Sequence, residues 1–502
     1  MDSATLITFI IYIVGMLLLG IVGYKLTSNL SDYFLGGRKL GPGVAALSAG
    51  ASDMSSWLLL GLPGAIYLSG LAEAWIAVGL TIGAYLNWQF VAKRLRVYTE
   101  VSNNAITIPD FFEQRFRDRS RALRLASASV ILLFFTFYTA SGLVGGAKLF
   151  SSSFGLSMTN ALIIGSIVII GYTFLGGFIA VSWTDFIQGL LMFLALIVLP
   201  ILAIQNAGGW NEAVNVVGNL TDGQNLEMVK GVSTIGIISS LAWGLGYFGQ
   251  PHILVRFMAI RSTKDVPKAR FIGMTWMVLS LFGAVFVGIA GYAYIATNDV
   301  SAALAERGIE VSGGVLADEE TVFIALTQLL THPIVAGILL AAILAAIMST
   351  VDSQLLVSSS AVAEDFYKGF IRKNASNKEL VWVARISVIV IALLAVWIAS
   401  ANEKLVLELV AYAWAGFGAA FGPIILLSLF WKRMTRNGAL LGIITGAVTV
   451  VVWSEFVKSD LYELVPGFFL AGAVAIIVSL LGQAPSQEIQ EEFDQAREQA
   501  NG

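Results

Sequence analysis

Long apolar runs separated by short polar loops set the pattern of this chain. Runs near 3–25, 43–69, 72–92, 122–150, 159–179, 183–206, 232–257, 270–296, 321–361, 380–400, 404–430, 438–457 and 463–482 recur from end to end. A run of about 20 residues crosses roughly 30 Å of hydrocarbon as a helix, so the pattern predicts about 13 membrane spans. Glu73, Asn87, Trp88 and Gln89 dilute the third run, and the ninth is too long for one crossing, so it includes a helical extension that does not span. The period-two alternation of a lipid-facing strand is missing. The chain reads as an all-α polytopic membrane protein.

Two of these runs are broken. The first break is Gly50-Ala51-Ser52-Asp53-Met54-Ser55-Ser56-Trp57, with apolar sequence on both sides and Gly61, Pro63 and Gly64 just beyond. A carboxylate carried to mid-membrane costs roughly 2.5 to 3.5 kcal/mol on insertion scales. Unwound backbone at that depth survives only where it is buried in protein or lines a wet cavity, which makes the stretch a candidate binding site. The competing reading is a serine-lined helix contact with Asp53 paired to a basic residue. The second break runs from Ser239 to His252 through Trp243-Gly244-Leu245-Gly246-Tyr247-Phe248-Gly249-Gln250-Pro251. The broken spans are the second and seventh. An odd separation starts them on opposite sides of the membrane, as an inverted-topology repeat requires. Glycines that merely let helices pack closely explain Gly145 and Gly146 well, but Gln250-Pro251 poorly. The expected organisation is a peripheral first helix and cytoplasmic loop (1–42), a first five-helix repeat (43–206), an external loop (207–231), a second five-helix repeat (232–430), two peripheral helices (431–482) and a solvated cytoplasmic tail (483–502).

Composition narrows the chemistry. Of 502 residues 57% are hydrophobic and 13% charged, there is no cysteine, and His252 and His332 are the only histidines. A thiol nucleophile, a thiolate metal site and a disulfide framework are excluded. A net charge of −3, with basic residues confined to short loops, offers no nucleic-acid face. Of 30 Lys and Arg, 25 fall in one set of alternate loops and span ends and 5 in the other, which predicts an external N-terminus and a cytoplasmic C-terminus. The first run lacks a basic leader and a small-residue cleavage site and reads as a retained helix.

A broken helix offers N–H groups to an anion and carbonyls to a cation. Na⁺ wants oxygen, which the carbonyls of Ala51, Met54 and Ala346 and the hydroxyls of Ser349 and Thr350 supply; positions 346, 349 and 350 share a helical face. Serine and threonine in such helices also bond their own i−4 carbonyl, which is the competing reading.

The stretches LSAGASDMSSWLLLGLPGA, SWTDFIQ, WGLGYFGQPHILVRFMA, ILAAIMSTVDSQLLVSSSAVAEDFY and YAWAGFGAAFGP, in this order, resemble the solute:sodium symporter family over nearly the whole chain. The resemblance implies a LeuT-like 5+5 inverted-repeat core with alternating access. It implies inward Na⁺ movement coupled to uptake of L-proline across a bacterial cytoplasmic (inner) membrane. By motif, it puts Na⁺ on Ala51, Met54, Ala346, Ser349 and Thr350 and makes Asp53 and Ser55 important for Na⁺ and proline. It places Trp57, Gly61, Tyr138, Trp243, Tyr247 and Pro251 around the substrate and ties Asp185 to Na⁺ coupling. Proline is a zwitterion with a compact apolar ring. Half-helix N–H groups with Ser55 suit its carboxylate, the faces of Trp243 or Tyr247 suit its ammonium, and Trp57, Gly61 and Pro251 suit its ring. Another small zwitterion such as proline betaine, pantothenate or a different amino acid is the alternative cargo, and a transporter-like membrane sensor is the alternative class. Asp352 reads as facing a basic loop in preference to lying on the ion's route.

Overall fold

The computed structural model describes residues 3–26, 34–173, 177–401, 405–457 and 459–501. Lys404 and Lys458, two of the five basic residues counted for the outer side, lie outside the described residues. Ten of the described helices are long and apolar enough to cross a membrane, and Met158–Gly171 and Thr234–Gly249 are shorter apolar helices. Their outer faces carry exposed Ile, Leu, Val and Phe, as at Ile7, Ile11 and Leu18 of Ser3–Leu26, whereas Phe9 and Met16 of that helix turn inward. Apolar side chains on the outside are what a hydrocarbon solvent selects.

The helices sort into two packed groups. One holds both broken helices, 42–69 and 234–259, with the helix over 74–101 and Val266–Thr297. The other holds Ala122–Phe154, Met158–Thr173, Pro333–Ser360 and Asn377–Ala401. Each group thus takes two helices from either half of the chain. Phe178–Asn206 and Val406–Phe430 pack against members of both.

Glycine lets the first group close up. A Cβ on Gly83 would lie 2.1 Å from the carbonyl oxygen of Gly244, and one on Gly246 would lie 1.9 Å from Trp414 Nε1. The glycines of the second break therefore do serve close packing, which the sequence reading had set against a functional break. Gln250 and Pro251 carry the break itself: Gln250 leaves helical geometry (φ −79°, ψ 108°) and Pro251 starts the next helix.

The run over 321–361 carries a helical extension, as its length implied: it is two helices, Val322–Leu330 and Pro333–Ser360, parted at Thr331-His332 because Pro333 cannot continue the first. The second continues as a π-helical segment to Ile371. Other expectations need correcting. The segment 207–231, expected as a loop, contains the helix Trp210–Leu220. Arg256, one of the 25 basic residues assigned to the cytoplasmic set of loops and span ends, is buried within Pro251–Ala259. The tail is not simply solvated: Gln487–Asn501 is a helix, Glu492 accepts bonds from Ser102 and Arg117 at 2.6 Å, and Phe493 packs edge-on against Tyr98. At the opposite end of Ala122–Phe154, Lys148 pairs with Asp318 (2.6 Å) and Glu320 (2.8 Å). Glu320 also accepts the backbone N–H groups of Val406 and Leu407, so one buried carboxylate ties three elements.

Candidate substrate and ion site at the broken helices

The helix Pro42–Asp53 ends at Met54 (φ −82°, ψ 71°), and its last carbonyls lose their intrahelical partners. Those carbonyls build the site. The Ala51 oxygen faces the hydroxyls of Ser349 at 2.8 Å and Thr350 at 3.3 Å, and the same hydroxyls lie 3.2 and 3.1 Å from the Ala346 oxygen. Two carbonyls and two hydroxyls from two helices thus converge, all buried. The hydroxyls make both contacts at once, since the i−3 and i−4 bonds to Ala346 exist beside the contact to Ala51. A hard cation takes such oxygens, so the residues present fit Na⁺. Met54 lies at the helix end itself, its N–H donating to Gly50.

The Asp53 carboxylate bonds none of these groups. Its Oδ2 accepts the Tyr247 hydroxyl, and its backbone oxygen takes Trp57 Nε1 at 3.2 Å and the Tyr138 hydroxyl at 3.3 Å. The basic partner of the competing reading is absent among the described residues. Ser55, in the unwound stretch, has its hydroxyl 3.5 Å from the Trp57 N–H.

The aromatic residues gather beside the break. Trp57 and Trp243 lie 6.2 Å apart by ring centroid, and Trp243 stacks on both Trp414 and Tyr462. Tyr247 meets Trp414 edge-on at 5.1 Å. Gly61 leaves room for Leu407 beside Trp57. Pro251 does not join this cluster; it lines a separate small cavity with Phe34, Phe178, Val255 and Leu356.

Asp185 belongs to a second buried network. Its Oδ2 accepts Ser48 (2.7 Å), Ser52 (3.1 Å) and Arg256 (3.1 Å), while Arg256 also reaches Ser353 at 2.5 Å. Asp352 is fully buried beside this network, with Ser353 donating to it, and does not face a basic loop. Ser353 and Ser52 touch at 2.9 Å, so the network adjoins the oxygen cluster through neighbouring residues of both helices.

The sequence reading missed Trp414, Tyr462, Arg256 and Asn87. Trp414 Nε1 donates to the Trp243 carbonyl at 2.8 Å, and the Tyr462 hydroxyl donates to Ala411 at 2.6 Å. Trp414 sits in the stretch YAWAGFG, where aromatic rings alternate with small residues, a usable signal. Tyr462 had none, in a short loop between helices taken as peripheral.

A family model for the sodium:solute symporter family matches residues 33–446. The chain belongs to the sodium:solute symporter family. The sodium/proline symporter of Escherichia coli (strain K12) is 56% identical to it, over 99% of this chain and 96% of that one. The high-affinity proline transporter PutP of Bacillus subtilis (strain 168) is 53% identical, over 95% and 98%. Among solved structures, an outward-open, substrate-bound Na⁺-coupled sialic acid symporter superposes with a TM-score of 0.79 at 21% identity, covering 97% of this chain and 99% of that one. A nucleobase-cation-symport-1 family transporter in a closed conformation does so at 0.55 and 14%, covering 93% and 99%. The fold of this symporter is therefore the LeuT-like one expected, and Na⁺ is its coupling ion.

Proposed function

We propose that this symporter couples inward Na⁺ movement to uptake of L-proline by alternating access, in a bacterial cytoplasmic membrane. The observation that carries the reading is the convergence of the Ala51 and Ala346 carbonyls with the Ser349 and Thr350 hydroxyls beside a compact aromatic wall. Ala51, Met54, Ala346, Ser349 and Thr350 hold Na⁺. Ser55, Trp57, Gly61, Tyr138, Trp243 and Tyr247 face the amino acid, whereas Pro251, expected beside it, lines a separate cavity. Asp53 and Asp185 act on the ion through its surroundings. Names of relatives at 53 and 56% identity support proline over other zwitterions. One charge moving down 100 mV yields roughly 2.3 kcal/mol, enough for more than tenfold accumulation before the Na⁺ gradient is counted.

The test is uptake of radiolabelled proline into proteoliposomes with and without an inward Na⁺ gradient, with proline betaine, pantothenate and other amino acids as competitors. Na⁺-dependent accumulation that unlabelled proline suppresses best is the expected result. Accumulation indifferent to Na⁺ would end the symport reading; binding without accumulation would favour a sensor.

The same reading comprises 13 spans, with 43–206 and 232–430 as the two repeats and the N-terminus outside. Cysteines introduced singly between Lys93 and Arg121 are expected to react with thiol reagents only from the cytoplasm, and those between Asn211 and Lys230 only from outside. No native cysteine interferes. Labelling of both loops from one side would refute the span count and the inverted repeat together.

A further inference from the structure

Asp53 is buried and its side chain meets a single hydroxyl, that of Tyr247. Its Oδ1 has no partner, and neither has Oδ1 of the equally buried Asn87. Both residues line one cavity of about 20 Å³, together with Tyr247, Trp276 and Met277. A ring of bonds almost closes around it. Tyr247 donates its hydroxyl to Asp53 Oδ2, and Asn87 Nδ2 donates to the Tyr247 carbonyl at 2.9 Å. Asn87 Oδ1 and Asp53 Oδ1 are the two partnerless side-chain oxygens among the residues that line this cavity.

Two acceptors cannot bond each other, so whatever joins them brings hydrogens or positive charge. The lining is mostly apolar, but a cavity of about this size with two or more polar partners holds one water, which can donate a hydrogen to each oxygen. A hard cation fits less well, because it gathers about six oxygens, and the indole of Trp276 and thioether of Met277 take up much of the wall. Asn87 also opens the π-helical turn Asn87–Val91 inside the helix over 74–101. Turns of that kind recur at functional sites, and the apolar pattern of this span does not call for one.

We propose that Asn87 is a positioning residue for Asp53, acting through one water bound between their free oxygens. The asparagine then holds the carboxylate behind the carbonyls of Ala51 and Met54, and the third span reports on the ion site although it contributes no ligand. The proposal rests on the symport reading above and adds to it a residue and a water site.

The experiment compares the unaltered protein with Asn87→Ala and Asn87→Ser in proteoliposomes, measuring Na⁺ and proline half-saturation and Na⁺ taken up per proline. Asn87→Ala is expected to raise the Na⁺ half-saturation about tenfold, the lower end of what outer partners of an ion site are worth, with proline half-saturation at saturating Na⁺ unchanged. Asn87→Ser, whose hydroxyl can rejoin the water, is expected to recover most of that loss. Equal shifts in both half-saturations, or a serine variant no better than alanine, would overturn the positioning role. Loss of one Na⁺ per proline in Asn87→Ala would make the occupant a cation and overturn the water. A density map fine enough to show waters decides the point without any variant: density between Asp53 and Asn87 supports it and its lack refutes it. Uptake by the unaltered protein that ignores Na⁺ would instead refute the symport reading.

Discussion

Removing both hydroxyls of the oxygen cluster, Ser349→Ala with Thr350→Ala, is expected to raise the Na⁺ concentration for half-maximal uptake on the order of 100-fold. Each hydroxyl faces the Ala51 carbonyl across the helix contact, at 2.8 and 3.3 Å. A polar contact to a charged group is worth roughly 1.5 kcal/mol or more, so two lost ligands cost about 3 kcal/mol, or two decades of affinity. Proline affinity at saturating Na⁺ should change far less. Trp243→Ala should do the reverse, because Trp243 stacks between the aromatic neighbours of the break and touches none of the cluster's oxygens. Initial uptake rates over a grid of Na⁺ and proline concentrations separate the two. If the hydroxyls only bond their own helix at Ala346, the double variant would lose a little stability and keep its Na⁺ dependence; equal shifts from both variants would void the division of roles.

Much of this site was legible before the structure because a membrane enforces the grammar. Apolar runs must be helices, and a carboxylate with three serines inside one must be explained, so the breaks at Asp53 and Gln250 stood out. The shared face of Ala346, Ser349 and Thr350 followed from helical spacing alone. Other parts depend on contacts between residues far apart, which leave no local trace. Arg256 reads as a loop charge until Asp185 is found 71 positions away, and Asp352 then proves to lie beside that pair and not against a loop. Tyr462 reaches Trp243 from a loop between helices that periodicity marked as peripheral. Asn87 looked like a weakness in its span, although it bonds the backbone of the second break. In the over-long ninth run the extension was legible from length but its place was not: two apolar helices joined by Thr331-His332 have the same hydropathy as one, and only Pro333 marks the join.

Asp53→Asn is expected to give a well-expressed, correctly inserted protein that has lost most Na⁺-driven uptake. The side chain has the room and partners for an amide. Its Oδ2 position can still accept the Tyr247 hydroxyl, and the Nδ2 that replaces the orphan Oδ1 would face the cavity lined by Asn87. Folding should therefore be spared. What disappears is a full negative charge one residue from Met54 and two from Ala51. At an effective dielectric near 20, such a charge acting over 4–8 Å is worth about 2–4 kcal/mol to a monovalent cation. That corresponds to about a 30- to 700-fold rise in the Na⁺ needed. Asp53→Glu keeps the charge but forces a methylene into a cavity of about 20 Å³, so partial uptake with weakened Na⁺ affinity is expected. Measuring protein in the membrane beside Na⁺-dependent uptake tells loss of field from loss of fold. Low abundance of Asp53→Asn would mean that the carboxylate merely pins the two broken helices through Tyr247. Abundant Asp53→Asn with ordinary Na⁺ dependence would remove the charge from the mechanism, and the ion would then be held by the helix-end carbonyls and the two hydroxyls alone.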